Sequence, residues 1–269
     1  MSATFASCGV AAAALLLLGT GAHASPKPVK TELDKTTDRG ILLAEYDKAA
    51  WQATDAVTEV HPIEGRIERY IARKTEAGWV VDFGRLSASG DRFLVAYEAA
   101  QTGSPAKFKV NSFDPVRSDT SWNLTAAKAA EMATRDFGAT SRPYNIAVLP
   151  VAGGNLYVYL YPAQVKEGVY PLGGDVRYRI SPDGVKIVEK RQMHKSIIES
   201  APASADMKVA TGYHTHVLSD VPEDTDVLLV LTRQPRVPEI VVAGAHMYTI
   251  GVDGKITVAD KPRVKPSQP

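Results

Sequence analysis

The sequence has 269 residues, 45% of them hydrophobic, which is enough for a chain of this length to bury a substantial core. Its 31 basic and 30 acidic side chains leave a net charge of +1, which argues against a nucleic-acid-binding surface. The only cysteine is Cys8, so the rest of the chain can form neither a disulfide bond nor a thiolate metal site.

The first 24 residues have the pattern of a secretory signal peptide. The apolar run from Gly9 through Gly19 has the length of a signal h-region and is too short to span a bilayer as a helix. The segment Ala22-His23-Ala24 predicts cleavage after Ala24, although no lysine or arginine precedes the apolar run. We therefore expect a periplasmic or secreted mature protein without a transmembrane segment; an uncleaved anchor is the alternative.

The N-terminal half predicts one helix followed by a meander of strands. Residues 25–38 are expected to form a flexible lead-in, and a helix is expected from about Arg39 to Val57, where apolar residues recur every three or four positions. Asp38 is a candidate N-cap for this helix. From Gly65 the apolar pattern changes to a period of two, so residues 39–116 are predicted to form a helix plus an antiparallel meander.

The C-terminal part is predicted to open with a second helix, from about Leu124 to Phe137, with Asn123 as N-cap and Gly138 at its end. Strands are expected to dominate afterwards, and the apolar segment Val227 to Thr232 is predicted to be one of them. Residues 259–269 are basic and rich in proline, so we expect a disordered tail.

Together these patterns predict an α+β fold of mostly antiparallel sheet with two main helices. If the protein has two lobes, the loop from Arg117 to Ser121 is the expected boundary, with the C-terminal lobe at residues 122–258. One continuous domain is the alternative.

Histidines are the most informative chemical feature of the sequence, because four of the six fall in its last third. His214 and His216 lie in a predicted strand, where side chains two residues apart point to the same side. Acidic residues follow, among them Asp226. Two histidines and a carboxylate form a common catalytic zinc set with a fourth position left for water. The interpretation we favour from sequence is a chain without a cofactor, with His216 hydrogen-bonded in a sheet and His214 at the surface or at a sheet edge, and a zinc site is the alternative.

Residues 210–256 resemble part of a known metalloenzyme family. The segment Gly212-Tyr213-His214-Thr215-His216, followed by Asp226, resembles the metal-binding strand and loop of JAMM-type (JAB-domain) metallopeptidases. The resemblance implies zinc held by His214, His216 and Asp226, with a glutamate as base, for which Glu189 or Glu199 are candidates. The chain departs from the family pattern: Val217 replaces the usual proline, Glu223 stands where a serine is expected, and the spacing to the aspartate is one residue short.

A longer stretch, about residues 144–256, is similar to a group of uncharacterised exported proteobacterial proteins. The similarity rests on Tyr157 to Ala163, Gly168 to Tyr178, the hairpin Ser181 to Gly184, and Thr215-His216. It implies an exported protein and no particular activity.

Two functions therefore remain open at the level of sequence. The preferred hypothesis is a non-catalytic exported protein that binds a cell-envelope protein or a small ligand through a sheet face. The alternative is a zinc-dependent hydrolase of the JAMM type.

Overall fold

The computed structural model describes residues 30–103, 107–200 and 209–260. The predicted signal peptide, its cleavage site after Ala24 and residues 261–269 of the predicted tail lie outside the described residues. Within them, the chain forms three helices and fourteen strands in mostly antiparallel sheets, which confirms the α+β class. None of these helices is long and apolar enough to cross a membrane.

The helices are α1 (Lys30–Glu59), α2 (Trp122–Phe137) and α3 (Asp224–Thr232). The strands are β1 (Arg69–Thr75), β2 (Gly78–Leu86), β3 (Phe93–Gln101), β4 (Phe108–Asp119), β5 (Tyr144–Pro150), β6 (Leu156–Pro162), β7 (Tyr170–Leu172), β8 (Val176–Ile180), β9 (Ile187–Gln192), β10 (Ile198–Ser200), β11 (Gly212–Thr215), β12 (Glu239–Ala243), β13 (His246–Ile250) and β14 (Ile256–Asp260).

Three four-stranded sheets have the orders β1-β2-β3-β4, β5-β6-β8-β9 and β11-β12-β13-β14, and β7 pairs with β10. Neighbouring strands run antiparallel except β11 and β12, which are parallel.

Helix α1 begins at Lys30, about nine residues earlier than predicted. Residues 30–38 are therefore helical rather than a flexible lead-in, and Asp38 lies inside the helix rather than at its N-cap. The extension has a tertiary cause: Leu33 is 6% exposed and packs in a cluster with side chains of α3 and of the sheet β11–β14. Because these packing partners lie about 200 residues away in the sequence, the pattern around Leu33 does not predict the extension.

The segment from Val227 to Thr232 is helical, so the predicted strand there is wrong. Residues 227–230 of this run are all buried, and a short continuous apolar run fits a buried helix as well as a buried strand. The first turn decides between them. The backbone N–H of Glu223 donates to Asp226 Oδ2 over 2.8 Å, which caps the helix at its start.

Helices α1 and α3 touch at Gly40. A Cβ atom at this position would lie 2.4 Å from the Cβ of Val227 and 2.7 Å from the carbonyl oxygen of Asp224. Only glycine allows so close an approach, and the contact fixes the helix that carries Asp226.

Helix α2 agrees with the prediction in extent but not in its cap. It begins at Trp122, and Asn123 lies inside its first turn, where Nδ2 donates to Asp82 Oδ2 over 2.7 Å. Gly138, at a φ of 84°, ends the helix as expected. The alanines of α2 share one hydrophobic cluster with Ile71 of β1 and Val158 of β6, so residues on both sides of the expected boundary pack into the same core. The loop predicted at residues 117–121 is shorter than expected, because residues 117–119 belong to β4.

Candidate metal centre

Four side chains converge at the C-terminal sheet. One ligand atom from each of His194, His214, His216 and Asp226 lies within 4.8 Å of all the others, and this group could hold a metal ion. The histidine side chains are 9%, 3% and 1% exposed, and that of Asp226 is 0% exposed. The sequence had suggested three of these residues, and His194 is the fourth.

Three separate chain segments supply the four side chains. His214 lies on β11, and His216 follows directly, its backbone N–H donating to the carbonyl of Val242 over 2.8 Å. His194 comes just after β9, and its backbone N–H donates to Asp175 Oδ1 over 3.0 Å. Asp226 projects from the first turn of α3. The side chains of His214 and His216 meet on one side, as their spacing predicted, and their Nε2 atoms are 3.1 Å apart.

The spacing of the four ligand atoms suits a tetrahedral ion. The Nε2 atoms of His194 and His216 are 2.9 Å apart. Asp226 Oδ1 lies 3.1 Å from Nε2 of both His194 and His214, and Asp226 Oδ2 lies 3.1 Å from Nε2 of His216. Zinc bonds of about 2.0 Å in a tetrahedral arrangement place neighbouring ligand atoms about 3.3 Å apart. The observed separations are close to that value.

In each histidine, the hydrogen-bond partner of the outward-facing Nδ1 determines which of the two ring nitrogens carries the proton. Nδ1 lies 2.8 Å from Asp175 Oδ1 in His194 and 2.8 Å from Glu239 Oε1 in His214. In His216 it lies 3.0 Å from the carbonyl oxygen of Val221. Carboxylates and carbonyls only accept, so each Nδ1 donates, and each neutral ring turns an unprotonated Nε2 inward. Metal-binding histidines are held in this way by their outer partners.

The carboxylate of Asp226 also favours a cation at this centre. Its Oδ2 accepts the N–H of Glu223, but its Oδ1 is buried and has no hydrogen-bond partner among the described residues. A buried carboxylate oxygen without a partner is costly. Together with three converging imidazole nitrogens, it requires positive charge at the centre, either a metal ion or protons on the rings.

The pKa values show how strongly the site attracts positive charge. Burial disfavours the charged form of His194, but Asp226 and Asp175 outweigh burial and raise its pKa to about 11. For His214, Asp226 and Glu239 likewise outweigh burial and raise the pKa to about 9. Burial would raise the pKa of Asp226, yet the three histidines hold it well below its ordinary value. A metal ion entering this site therefore displaces protons.

We expect the metal-free protein to lose stability as the pH rises from about 6.5 to 9. Above the ordinary histidine pKa of about 6.5, the folded protein keeps protons on His194 and His214 that the unfolded chain has released. The contribution of these protons to the free energy of unfolding is complete below about pH 6.5. Above that pH it declines by up to about 1.4 kcal/mol per pH unit for each histidine. Thermal unfolding in chelator across this range measures the slope.

The stabilisation that bound metal adds should increase with pH, opposite to the trend of the metal-free protein. Protons compete with the metal for Nε2, so the difference in Tm between loaded and metal-free protein should widen with pH. If the Tm of the loaded protein and the Tm of the metal-free protein change in parallel with pH, the metal does not bind at these histidines.

No known protein family, curated protein or solved structure matches this chain significantly. The site must therefore be interpreted from its own chemistry.

The remaining sequence-derived candidates are not part of the four-residue group. Glu189 and Glu199, the candidate bases, pair on the surface with Arg179 and Arg142, at 3.1 and 2.9 Å. His214 does lie on an edge strand, β11, as one of the two expectations had it, but it is buried rather than at the surface, with 5% of the residue exposed. His194 had no motif around it, since its link to the site depends on Asp175 and on the fold.

Glu239 positions His214 and is in turn held by Arg233, whose Nη1 donates to Glu239 Oε2 over 2.6 Å. We expect Glu239→Gln to weaken zinc binding by about 10- to 100-fold, because the amide is a poorer acceptor for the His214 Nδ1–H while its shape is unchanged. Competition with a chromogenic chelator measures the affinity. Glu199→Gln, at an exposed carboxylate, is the control, and equal affinities in the two variants would contradict the assignment.

Proposed function

We propose that this protein is an exported, non-catalytic zinc-binding protein in which His194, His214, His216 and Asp226 hold one zinc ion. The convergence of these four buried side chains is the observation that carries the proposal. Three imidazole nitrogens and one carboxylate oxygen form a donor set suited to zinc, and their spacing fits its tetrahedral preference. The ion would join the end of β9, strand β11 and helix α3.

A structural role is favoured over a hydrolytic one because the set of protein ligands is complete. Catalytic zinc sites commonly have three protein ligands and leave the fourth position for water, whereas structural sites have four. The JAMM resemblance requires a fourth position that is open to water. In the proposed site His194 fills that position. Within the part of the chain that the structure describes, the carboxylates nearest the site all have partners: Asp175 and Glu239 accept from the histidines, and Glu223 pairs with Arg191.

The proposed export rests on the N-terminal sequence pattern, and the chemistry of the site is compatible with it. Nitrogen and oxygen ligands do not depend on reduced thiols, so such a centre is stable in an oxidising compartment. In this interpretation the protein is an envelope module, and zinc keeps it folded while another surface binds a protein or small ligand.

Metal analysis of the natively purified protein tests the proposal. We expect near-stoichiometric zinc, retained through desalting and lost with a strong chelator. His194→Ala should retain much less zinc, because the site loses its fourth ligand. His61→Ala is the matched control, since His61 is exposed and not part of the group.

Two results would contradict parts of the proposal. Absence of bound metal, or equal zinc in His194→Ala and His61→Ala, would contradict the four-ligand site. A peptidase activity of the purified protein that His216→Ala abolishes would contradict the non-catalytic role.

A further inference from the structure

A second candidate site lies in a cavity of about 790 Å³ between α1, α3 and the strands β5 to β7. This volume is within the range of small-molecule sites. Its walls combine aromatic and aliphatic side chains with a few polar groups, and Asp47 of α1 is one of these. The cavity is distinct from the metal centre, although Asp175, which holds His194, also lines it.

Asp47 is a partly buried carboxylate without a cationic partner among the described residues. The hydroxyl of Tyr161 donates to Asp47 Oδ1 over 2.7 Å, and Nδ2 of Asn145 lies 3.4 Å from the same oxygen. Oδ2 makes no hydrogen bond with the described residues. Burial raises the pKa of Asp47, and the Tyr161 hydrogen bond only partly offsets this effect. The group is thus held in place by neutral donors, and neither Lys48 nor Arg236, the two cationic side chains that line the same cavity, forms an ion pair with it.

Three other carboxylates line the cavity, and each has a partner or lies in an exposed turn. Glu45 pairs with Lys74, and Asp175 pairs with His194. Asp253 is exposed, and its Oδ1 accepts the backbone N–H of Lys255 over 3.0 Å. Asp47 is therefore the partly buried carboxylate of this wall that is available to form an ion pair with a cationic ligand.

Four aromatic side chains line the same cavity as this carboxylate. Trp51, Tyr70, Tyr161 and Tyr170 all line the cavity, together with leucines of α3. Aromatic faces attract organic cations, and the attraction increases when the cation is removed from water. Trp51 is 66% exposed, an unusual position for a tryptophan, and lies at the rim.

We propose that this cavity binds a small organic ammonium ion with an apolar or aromatic body. The ammonium group would meet Asp47 Oδ2, and the body would pack against the aromatic walls. The carboxylate supplies charge selectivity, because an alcohol or carboxylate of the same shape lacks a complementary charge. This site does not depend on the zinc proposal, since none of the four candidate metal ligands is needed to form it.

Calorimetric titration of the purified full chain tests the inference. The probes are 2-phenylethylamine, hexylamine and benzyltrimethylammonium, with 2-phenylethanol as the neutral analogue. We expect saturable binding of at least one amine, tighter than that of the alcohol. Asp47→Asn should weaken amine binding by about tenfold or more and leave alcohol binding unchanged, because it removes a charge and keeps the shape.

Asp55→Asn is the matched control, because Asp55 lies exposed on the same helix. Trp51→Ala tests the aromatic wall at an exposed position where folding is not at risk, and it should weaken binding of benzyltrimethylammonium. Three results would overturn the inference: no saturable binding of any of the three cations, equal binding of amine and alcohol, or an amine affinity that Asp47→Asn leaves unchanged in a folded variant.

Discussion

Removing zinc with a chelator is expected to lower the Tm of this protein by about 10 °C. A ligand that binds only the native state at about 1,000 times its Kd contributes about 4 kcal/mol. For a chain of this size, each kcal/mol changes Tm by roughly 2–4 °C. The effect should be large because the four candidate ligands come from three segments that the ion would join.

Variants of the site separate this effect from a general action of the chelator. Asp226→Asn should unfold near the Tm of the chelated protein, and adding chelator to it should cause little further change. His61→Ala, outside the site, should show the full shift. If chelator lowers the Tm of Asp226→Asn as much as that of the unmodified protein, zinc does not stabilise the fold through these residues.

Replacing Asp224 with alanine is expected to reduce the free energy of unfolding by about 3–5 kcal/mol. Asp224 is completely buried and accepts hydrogen bonds from Arg39 Nε at 3.0 Å and Arg177 Nη1 at 2.6 Å. It also accepts one from the hydroxyl of Tyr159 at 2.8 Å. The Arg177 side chain is only 10% exposed, so removing the carboxylate leaves a buried guanidinium with its charge uncompensated.

Urea unfolding measures this loss, and the same sheet offers a control. Arg179 and Glu189 pair at 3.1 Å, but their side chains are 36% and 44% exposed. Glu189→Gln should therefore change stability by less than about 1 kcal/mol. A comparable loss in both variants would show that burial does not distinguish the two ion pairs.

Asp224→Ala should also weaken zinc binding, because Asp224 begins the helix whose first turn carries Asp226. Arg39 of α1 and Arg177 of β8 hold that turn from two sides. If zinc affinity is unchanged in this variant, then the capping contact between Glu223 and Asp226 is sufficient to place the ligand.

The fold class and part of the site follow from local pattern. Strand periodicity and turn residues predicted the antiparallel sheets, and the two-residue spacing of His214 and His216 placed both rings on one side. Asp226 was selected from the acidic residues after the pair because its position resembles that of the aspartate ligand in JAMM-type metallopeptidases. All of these signals lie within short stretches of the sequence.

The features that sequence analysis missed depend on distant partners. His194 reaches the site because Asp175, nineteen residues earlier, binds both its backbone and its ring. The first turns of α1 are helical because Leu33 packs beside Val227 and Val230 of α3. The apolar run of α3 itself matched a buried strand equally well, and a capping contact decided its conformation.

The contact between α1 and α3 also constrains when the protein can fold. Arg39 and Asp224 are separated by 185 positions in the sequence. During synthesis, α1 must wait for nearly the entire chain to emerge before its partner exists, and such non-local contacts slow folding. In a nascent chain that ends before α3, Leu33 and its apolar neighbours would be exposed to solvent. Truncated products should therefore be prone to aggregation and proteolysis.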